Sequence, residues 1–268
     1  MSEDLHTLRI EPVDEWASAS ADLFATAIKS AIEQRDRCLI ALSGGMTPRP
    51  VLAELATRSV DWDRVVVFQA DELIVHSQAP ERNLTAQQEA FKGLPVTWVP
   101  MPVDKLLVPS ITDQEDLRSH QSMSCNAQLD AIEMTQCGFG DNTPGLVVDT
   151  IEEFSRSLVE IAGDPPVLDI VQLGFGVQGH TASLLPGDPS VNELRQYVAL
   201  TGKYKGHRRL TLTRPVLDRA RLAIWLVRGA DKRVSLNRVL AGDLSIPAGL
   251  IRPRQSVVVA DEQAAVQV

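Results

Sequence analysis

Short apolar runs alternate with helix-forming segments along this chain, and this alternation restricts the fold more than any other feature. Five apolar runs predict buried strands, at 38–42 (CLIAL), 65–70 (VVVFQA), 168–173 (LDIVQL), 222–227 (LAIWLV) and 256–261 (SVVVAD). The segments around them predict helices, at 17–34, 48–57, 83–92, 149–162 and 230–240. Strands that alternate with helices predict an α/β fold, with a mainly parallel sheet flanked by helices.

Residues 104–147 interrupt the alternation, because they mix Ser, Gln, Asn, Cys and Gly without a helical or strand period. We interpret them as an insertion at the surface that contains a partial helix, and their sequence indicates no function. The chain shows no internal repeat and no linker between domains, so we expect all 268 residues to form a single domain.

The charge balance narrows the kinds of partner that the chain can bind. It carries 26 Lys and Arg against 35 Asp and Glu, a formal net charge of −9, which disfavours nucleic acid and anionic membranes. A small anionic ligand stays compatible, since a local pocket of amides or basic side chains can hold one. Cys38, Cys125 and Cys137 have neither metal-ligand spacing nor a disulfide pattern, so we expect no metal and a reducing compartment.

The beginning of the chain and its hydropathy predict a cytoplasmic location. Residues 1–16 (MSEDLHTLRIEPVDEW) are polar and acidic, unlike a secretory signal peptide. No apolar run approaches the roughly 18–20 residues that a membrane-spanning helix needs. The sequence leaves open whether the protein is a monomer or a dimer.

Ligands of such folds bind beyond the carboxyl ends of the strands, and three segments there carry suitable residues. They are SGGMTPR (43–49), ADEL (70–73) and GFGVQGHTAS (174–183).

The SGGMTPR segment favours a phosphate site. Gly44 and Gly45 allow the backbone to turn its amides inward, and the helix that follows adds its positive N-terminal end. Ser43 and Thr47 add hydroxyl donors. The alternative is a plain turn in which Thr47 only caps the helix.

The GFGVQGH segment has the G-x-G-x-x-G spacing of a dinucleotide-binding turn, at Gly174, Gly176 and Gly179. Such a site also needs a long helix and a second strand that ends in an acidic residue about 20 positions later. Pro-Gly-Asp-Pro at 186–189 ends any helix early, and no such strand follows. We therefore expect no dinucleotide cofactor.

The same glycines deliver His180 to the predicted start of a short helix. A helix N-terminus disfavours the charged imidazole, and a neutral imidazole can accept a proton from water. The alternative is a histidine that caps the helix or packs in the core.

These residues resemble those of a known family. LGFGVQGHTASLLPG (173–187) is similar to the signature of 6-phosphogluconolactonases, and SGGMTP matches their phosphate loop. ADE at 70–72 with Asn83 resembles their Asp-Glu-Arg and Ser-Asn segments, and 207–233 resembles their Arg-Leu-Thr strand and Gly-x-x-Lys. The resemblance spans about 17–261 except the insertion, and the wider family includes glucosamine-6-phosphate deaminases.

The resemblance implies a Rossmann-like domain that acts on a six-carbon sugar phosphate without a cofactor. The implied reaction is hydrolysis of 6-phospho-D-glucono-1,5-lactone, in the oxidative branch of the pentose phosphate pathway. His180 would activate water, and Asp71 would orient the water, His180 or a sugar hydroxyl. The alternative for Asp71 is a purely structural role at a helix start or in a turn. The implied substrate-binding residues are Ser43, Gly44, Gly45, Thr47, Arg49, Arg82, Asn83, Gly179, Arg209 and Lys203, with Lys205 as the alternative to Lys203.

Two departures from the family pattern keep other functions open. Leu73 replaces the usual Arg, for which Arg82 or Arg49 could substitute, and Gln178 replaces an Asp that could orient His180. One alternative is a deaminase or isomerase, although HTASLLPG lacks the Glu of that branch. The other is a sensor that binds sugar phosphates without turnover.

Overall fold

A seven-stranded parallel sheet forms the centre of the protein, in a computed structural model that describes residues 6–107 and 143–265. Its strands are β1 (Thr7–Glu11), β2 (Cys38–Leu42), β3 (Val65–Gln69), β5 (Thr97–Val99), β6 (Ile170–Leu173), β9 (Leu222–Val227) and β10 (Ser256–Asp261). Their order in the sheet is β1-β10-β9-β6-β2-β3-β5, and every neighbouring pair is parallel. All five predicted strands are present, and the predicted fold class is confirmed.

A second, antiparallel sheet adjoins the first and was not predicted. It consists of β4 (Asp71–Leu73), β7 (Val198–Leu200) and β8 (Arg209–Leu212), in the order β4-β8-β7. Ala70 joins the two sheets, because its N–H donates to Leu42 O and its C=O accepts from Leu212 N. The chain therefore passes from β3 into β4 through one residue, which brings Asp71 to the carboxyl end of the main sheet.

Helices cover both faces of the main sheet. They are α1 (Trp16–Arg35), α2 (Pro48–Ala56), α3 (Asn83–Ala90), α4 (Thr143–Ala162), α5 (Arg214–Arg219), α6 (Arg233–Leu240), α7 (Pro247–Leu250) and α8 (Glu262–Ala265). Within the described ranges, none of these helices combines the length and the apolar character that crossing a bilayer requires.

The period-two alternation of β2 divides the core between the two faces. Ile40 and Leu42 pack into the cluster that α1 and α2 supply, whereas Leu39 and Ala41 pack into the cluster that includes Phe154 of α4. Burial of each Leu, Ile or Phe side chain contributes roughly 1.5–3 kcal/mol to the stability of the fold. The sheet is therefore apolar on both faces, which explains why its strands appear in the sequence as continuous apolar runs.

The described ends of the predicted insertion belong to packed structure. A 3-10 turn at Val103–Leu106 buries the side chains of both terminal residues, and α4 begins at Thr143 rather than at 149. Residues 108–142 of the predicted insertion lie outside the described residues.

Candidate active site

The three segments that follow strands meet in one cavity of about 760 Å³ at the carboxyl ends of β2, β3 and β6. Ten of the twelve residues predicted for the site line this cavity; they are Ser43, Gly44, Gly45, Thr47, Arg49, Asp71, Arg82, Asn83, His180 and Arg209. Gly179 and Lys203 are not among the described lining residues. Parallel strands end at one edge of a sheet, so segments far apart in sequence converge there.

Gly44 is the tightest point of the loop between β2 and α2. A Cβ atom at this position would lie 1.7 Å from Asn83 Oδ1, so only glycine allows α3 to approach so closely. Gly45 has a φ of +95°, in the left-handed region that favours glycine. The two glycines therefore serve different purposes, close approach and backbone direction.

Thr47 does not cap α2. Its backbone is already helical, with φ −61° and ψ −46°, and its side chain makes no capping hydrogen bond. The alternative role that the sequence left open for Thr47 is therefore not the one observed.

Asp71 is buried between the loop of β2 and the segment after β6. Its Oδ2 accepts a hydrogen bond of 2.7 Å from Ser183 Oγ, and its backbone carbonyl accepts one from Asn83 Nδ2. Burial raises the pKa of Asp71, although the Ser183 hydroxyl and the charge of Arg209 oppose the rise. Asp71 is thus part of the cavity wall rather than an exposed turn residue.

Glu72, next to Asp71, points away from the cavity and holds the start of α3. Its carboxylate is fully buried and accepts backbone hydrogen bonds from Leu73, Asn83 and Leu84. Burial raises the pKa of Glu72 to about 7, against the effect of these donors.

His180 does not begin a helix, which corrects the sequence prediction. Its loop closes instead through isolated bridges, Phe175 with Thr181 and Thr181 with Leu184, and Ala182 adopts a φ of +46°. The pKa of His180 is still lowered, as expected, but by burial and by the charges of Lys232, Lys205 and Arg209 rather than by a helix dipole.

The imidazole of His180 is held by packing. A Cβ atom at Gly176 would lie 1.9 Å from its Cε1, so the ring rests directly on the glycine backbone. Its Nδ1 is buried and has no hydrogen-bond partner among the described residues. Gly179 has a φ of +79°, and a Cβ atom there would lie 2.7 Å from Ile246 Cβ, so this position of the loop requires glycine.

Basic side chains enter the cavity from β8, from the hairpin before it and from the turn after β9. They are Arg209, Lys205 and Lys232. Lys203 is exposed and outside the lining, so the structure favours Lys205 of the two alternatives. Burial lowers the pKa of Arg209, which Asp71 counteracts.

Arg82 is buried and paired, although it lines the cavity. Its Nη1 and Nη2 lie 2.7 and 3.0 Å from the two carboxylate oxygens of Asp104, and its Nε lies 3.9 Å from Glu72. This geometry makes Arg82 a poor substitute for the arginine that Leu73 replaces. Leu73 itself is half-buried in the lining and pairs with Arg209 across β4 and β8.

Ser183, Tyr204 and Lys232 are among the cavity residues to which the sequence analysis gave no role. Lys232 stood in the Gly-x-x-Lys that the resemblance pointed out, so a signal for it existed. Ser183 also stood in the family-like stretch at 173–187, but its contact with Asp71 exists only in the fold. Tyr204 gave no signal, because its contact with Arg209 also depends on the fold.

The fold and the site define a Rossmann-like α/β protein with a glycine loop, a buried carboxylate, an imidazole and basic side chains around one cavity. Across the described residues, no group of three His, Cys, Asp or Glu side chains is arranged to hold a metal ion.

Comparison with known proteins gives the family. A family model described as glucosamine-6-phosphate isomerases/6-phosphogluconolactonase matches residues 11–260, and the chain belongs to this family. It is 30% identical over 239 residues to the 6-phosphogluconolactonase of Nostoc sp., covering 88% of this chain and 86% of that one.

Solved structures share the fold with this chain. The 6-phosphogluconolactonase of Trypanosoma brucei is similar with a TM-score of 0.75 at 21% identity, covering 98% of both chains. A monomeric glucosamine-6-phosphate deaminase is similar with a TM-score of 0.69 at 16% identity. Since both enzymes share the fold, the site residues must decide between their chemistries.

Replacement of Gly44 tests the close approach of the loop to α3. We expect Gly44→Ala to displace Asn83 and to weaken binding of inorganic phosphate at least about tenfold, or about 1.4 kcal/mol, measured by isothermal titration calorimetry. Gly145→Ala is the matched control, because a Cβ there meets no atom within 4 Å. If a folded Gly44→Ala protein bound phosphate as tightly as the unmodified protein, the prediction of a phosphate site at this loop would be wrong.

Proposed function

We propose that this protein hydrolyses 6-phospho-D-glucono-1,5-lactone to 6-phospho-D-gluconate, in the oxidative branch of the pentose phosphate pathway. Membership of the family and the names of its relatives support this function. The single observation that carries the mechanism is the imidazole of His180 in a cavity with a glycine loop, where burial and nearby cations lower its pKa.

In the proposed reaction His180 is the general base. It takes a proton from water while the water oxygen attacks C1 of the lactone, and the carbonyl oxygen gains negative charge. The bond between C1 and the ring oxygen then breaks, and the imidazolium returns the proton to that oxygen as the hydroxyl forms. The product is the open-chain acid, and no redox step or cofactor is required.

The cations of the cavity offset the negative charge of the substrate. We assign Arg209 and Lys232 to the phosphate group, together with backbone amides of Gly45, Met46 and Thr47 at the start of α2. Arg49 and Lys205 lie at the same cavity and add to its positive potential.

Asp71 is assigned to a sugar hydroxyl or to the attacking water. Ser183 and Asn83 fix its position, so its carboxylate can accept a hydrogen bond without rearrangement. The deaminase alternative finds less support, because HTASLLPG lacks the Glu of that branch.

Substitution of His180 tests the base. We expect His180→Asn to lower kcat by roughly 10²–10⁴-fold, the usual contribution of a positioned general base. KM should change little, because the base acts on water. The assay uses freshly prepared lactone and subtracts an enzyme-free blank, since lactones also open spontaneously. Near-normal kcat in His180→Asn would eliminate the mechanism even if the substrate proved right.

The pH profile of the unmodified enzyme gives a second check on His180. Its pKa is lowered from 6.5 by burial and by Lys232, Lys205 and Arg209. The neutral, active form therefore predominates above the ordinary pKa, and activity falls as the pH drops through the lowered one. A kcat profile that falls instead above pH 7 would assign the titrating group elsewhere.

Substitution of Leu73 by arginine tests whether a cation at this position strengthens substrate binding. Leu73→Arg should lower the KM for the lactone about tenfold, because the new guanidinium would face a phosphate beside Arg209. The uncharged Leu73→Met is the matched control. Like charges on paired strands also repel, so the melting temperature of Leu73→Arg without ligand should fall slightly.

Arg82→Ala separates the two candidates for that role. We expect it to reduce the melting temperature strongly, since it leaves Glu72 and Asp104 without their cation. If Arg82→Ala raises KM in a stable protein and Leu73→Arg changes nothing, Arg82 holds the phosphate and our assignment is wrong.

A further inference from the structure

The aromatic ring of Tyr204 is the meeting point of two cations and the imidazole. The guanidinium carbon of Arg209 lies 5.5 Å from the ring centroid, and Lys205 Nζ lies 5.4 Å from it. The imidazole of His180 lies edge-on, with 5.6 Å between the two ring centroids. Tyr204 is half-buried and lines the cavity.

A tight hairpin holds this ring in place. Tyr204 and His207 exchange backbone hydrogen bonds of 2.9 and 3.2 Å across Lys205 and Gly206, which both have positive φ as in a type I′ turn. Arg209 Nη1 donates to the carbonyl oxygens of Tyr204 and His207, at 3.0 and 3.3 Å. The guanidinium is therefore tied to both the backbone and the ring of the same residue.

His180 depends on such a contact because it has little else to orient it. Its Nδ1 has no hydrogen-bond partner among the described residues, and Gln178, in the same loop, is exposed. A catalytic imidazole is ordinarily oriented by a hydrogen bond to its second nitrogen. Here the ring packs against the backbone of Gly176 and against the ring of Tyr204.

We propose that Tyr204 is a positioning residue, which keeps the imidazole of His180 in its working orientation and holds Arg209 and Lys205 at the cavity. This role rests on the proposed function, in which His180 is the base and Arg209 binds the phosphate. The face of an aromatic ring attracts a cation, and the edge-to-face contact fixes the angle of the imidazole. Tyr204 thus links the position of His180 to the binding of the substrate.

Removal of the Tyr204 ring should weaken substrate binding and also slow the chemical step. Arg209 and Lys205 would be free to turn toward solvent, which raises KM, and the imidazole would lose its lateral support, which lowers kcat. The charged groups that face His180 are Lys232, Lys205 and Arg209. With two of them farther away and the imidazole less buried, its pKa should rise toward 6.5.

The test compares Tyr204→Leu and Tyr204→Met with Tyr204→Phe, which keeps the ring. Tyr197→Leu is the matched control, because Tyr197 is the other tyrosine of the chain and is also half-buried, with its hydroxyl on Asp164. We measure KM and kcat for the lactone, the Kd of 6-phosphogluconate, and the His180 titration by NMR, assigned with His180→Asn.

Tyr204→Leu and Tyr204→Met should each raise Kd and KM about tenfold, lower kcat and raise the His180 pKa, while Tyr204→Phe recovers most of each. Unchanged Kd and His180 pKa in the folded variants would overturn the proposal, as would equal damage from Tyr204→Phe. The Kd and the titration require no turnover, so an unmodified protein that fails to open the lactone would reject the proposed function alone.

Discussion

The geometry of the site depends on the hydrogen bonds that the buried carboxylate of Glu72 accepts. This carboxylate accepts the backbone N–H groups of Leu73, Asn83 and Leu84, and so attaches the start of α3 to β4. A helix N-terminus has donors that need partners, and a carboxylate supplies them. Because Asn83 is the first residue of this helix, the same attachment sets the side chain that contacts Asp71 and Gly44.

The site concentrates positive charge in an acidic protein. The chain has a net charge of −9, yet Arg209, Lys205 and Lys232 converge on one cavity. Within the cavity, burial and these cations lower the pKa of His180, whereas burial raises the pKa of Asp71. In the proposed function, the same cations that suit an anionic substrate also favour the neutral form of His180, so binding and catalysis would have a common electrostatic origin.

The sequence predicts five of the seven strands of the main sheet, because these five apolar runs are buried on both faces, which leaves a continuous pattern. The edge strands β1 and β5 are largely exposed or half-buried and were not predicted. The second sheet escapes prediction, since β4 and β7 have three residues each and pair only through contacts distant in sequence. Local rules also failed at Thr47 and His180. Thr47 lies inside the helical conformation, and the loop at His180 closes through backbone bridges instead of starting a helix.

Most residues of the cavity were predictable, because ligands of α/β folds bind where strands end and the glycine loop and the His180 loop both follow strands. The residues that orient them were not. Tyr204 stands in a basic, polar stretch that is typical of a solvated surface, and its contacts with Arg209 and His180 exist only in the folded chain. Arg82 shows the converse, since its charge suggested a phosphate ligand and its partner is Asp104.

The central claim is that the glycine loop and Arg209 bind the phosphate while His180 lies at C1. A crystal structure with bound 6-phosphogluconate tests this claim most directly. We expect the phosphate within about 3 Å of the backbone amides at 45–47 and of Arg209, with the C1 carboxylate beside the imidazole of His180. A phosphate outside the glycine loop, or a C1 carboxylate remote from His180, would contradict it.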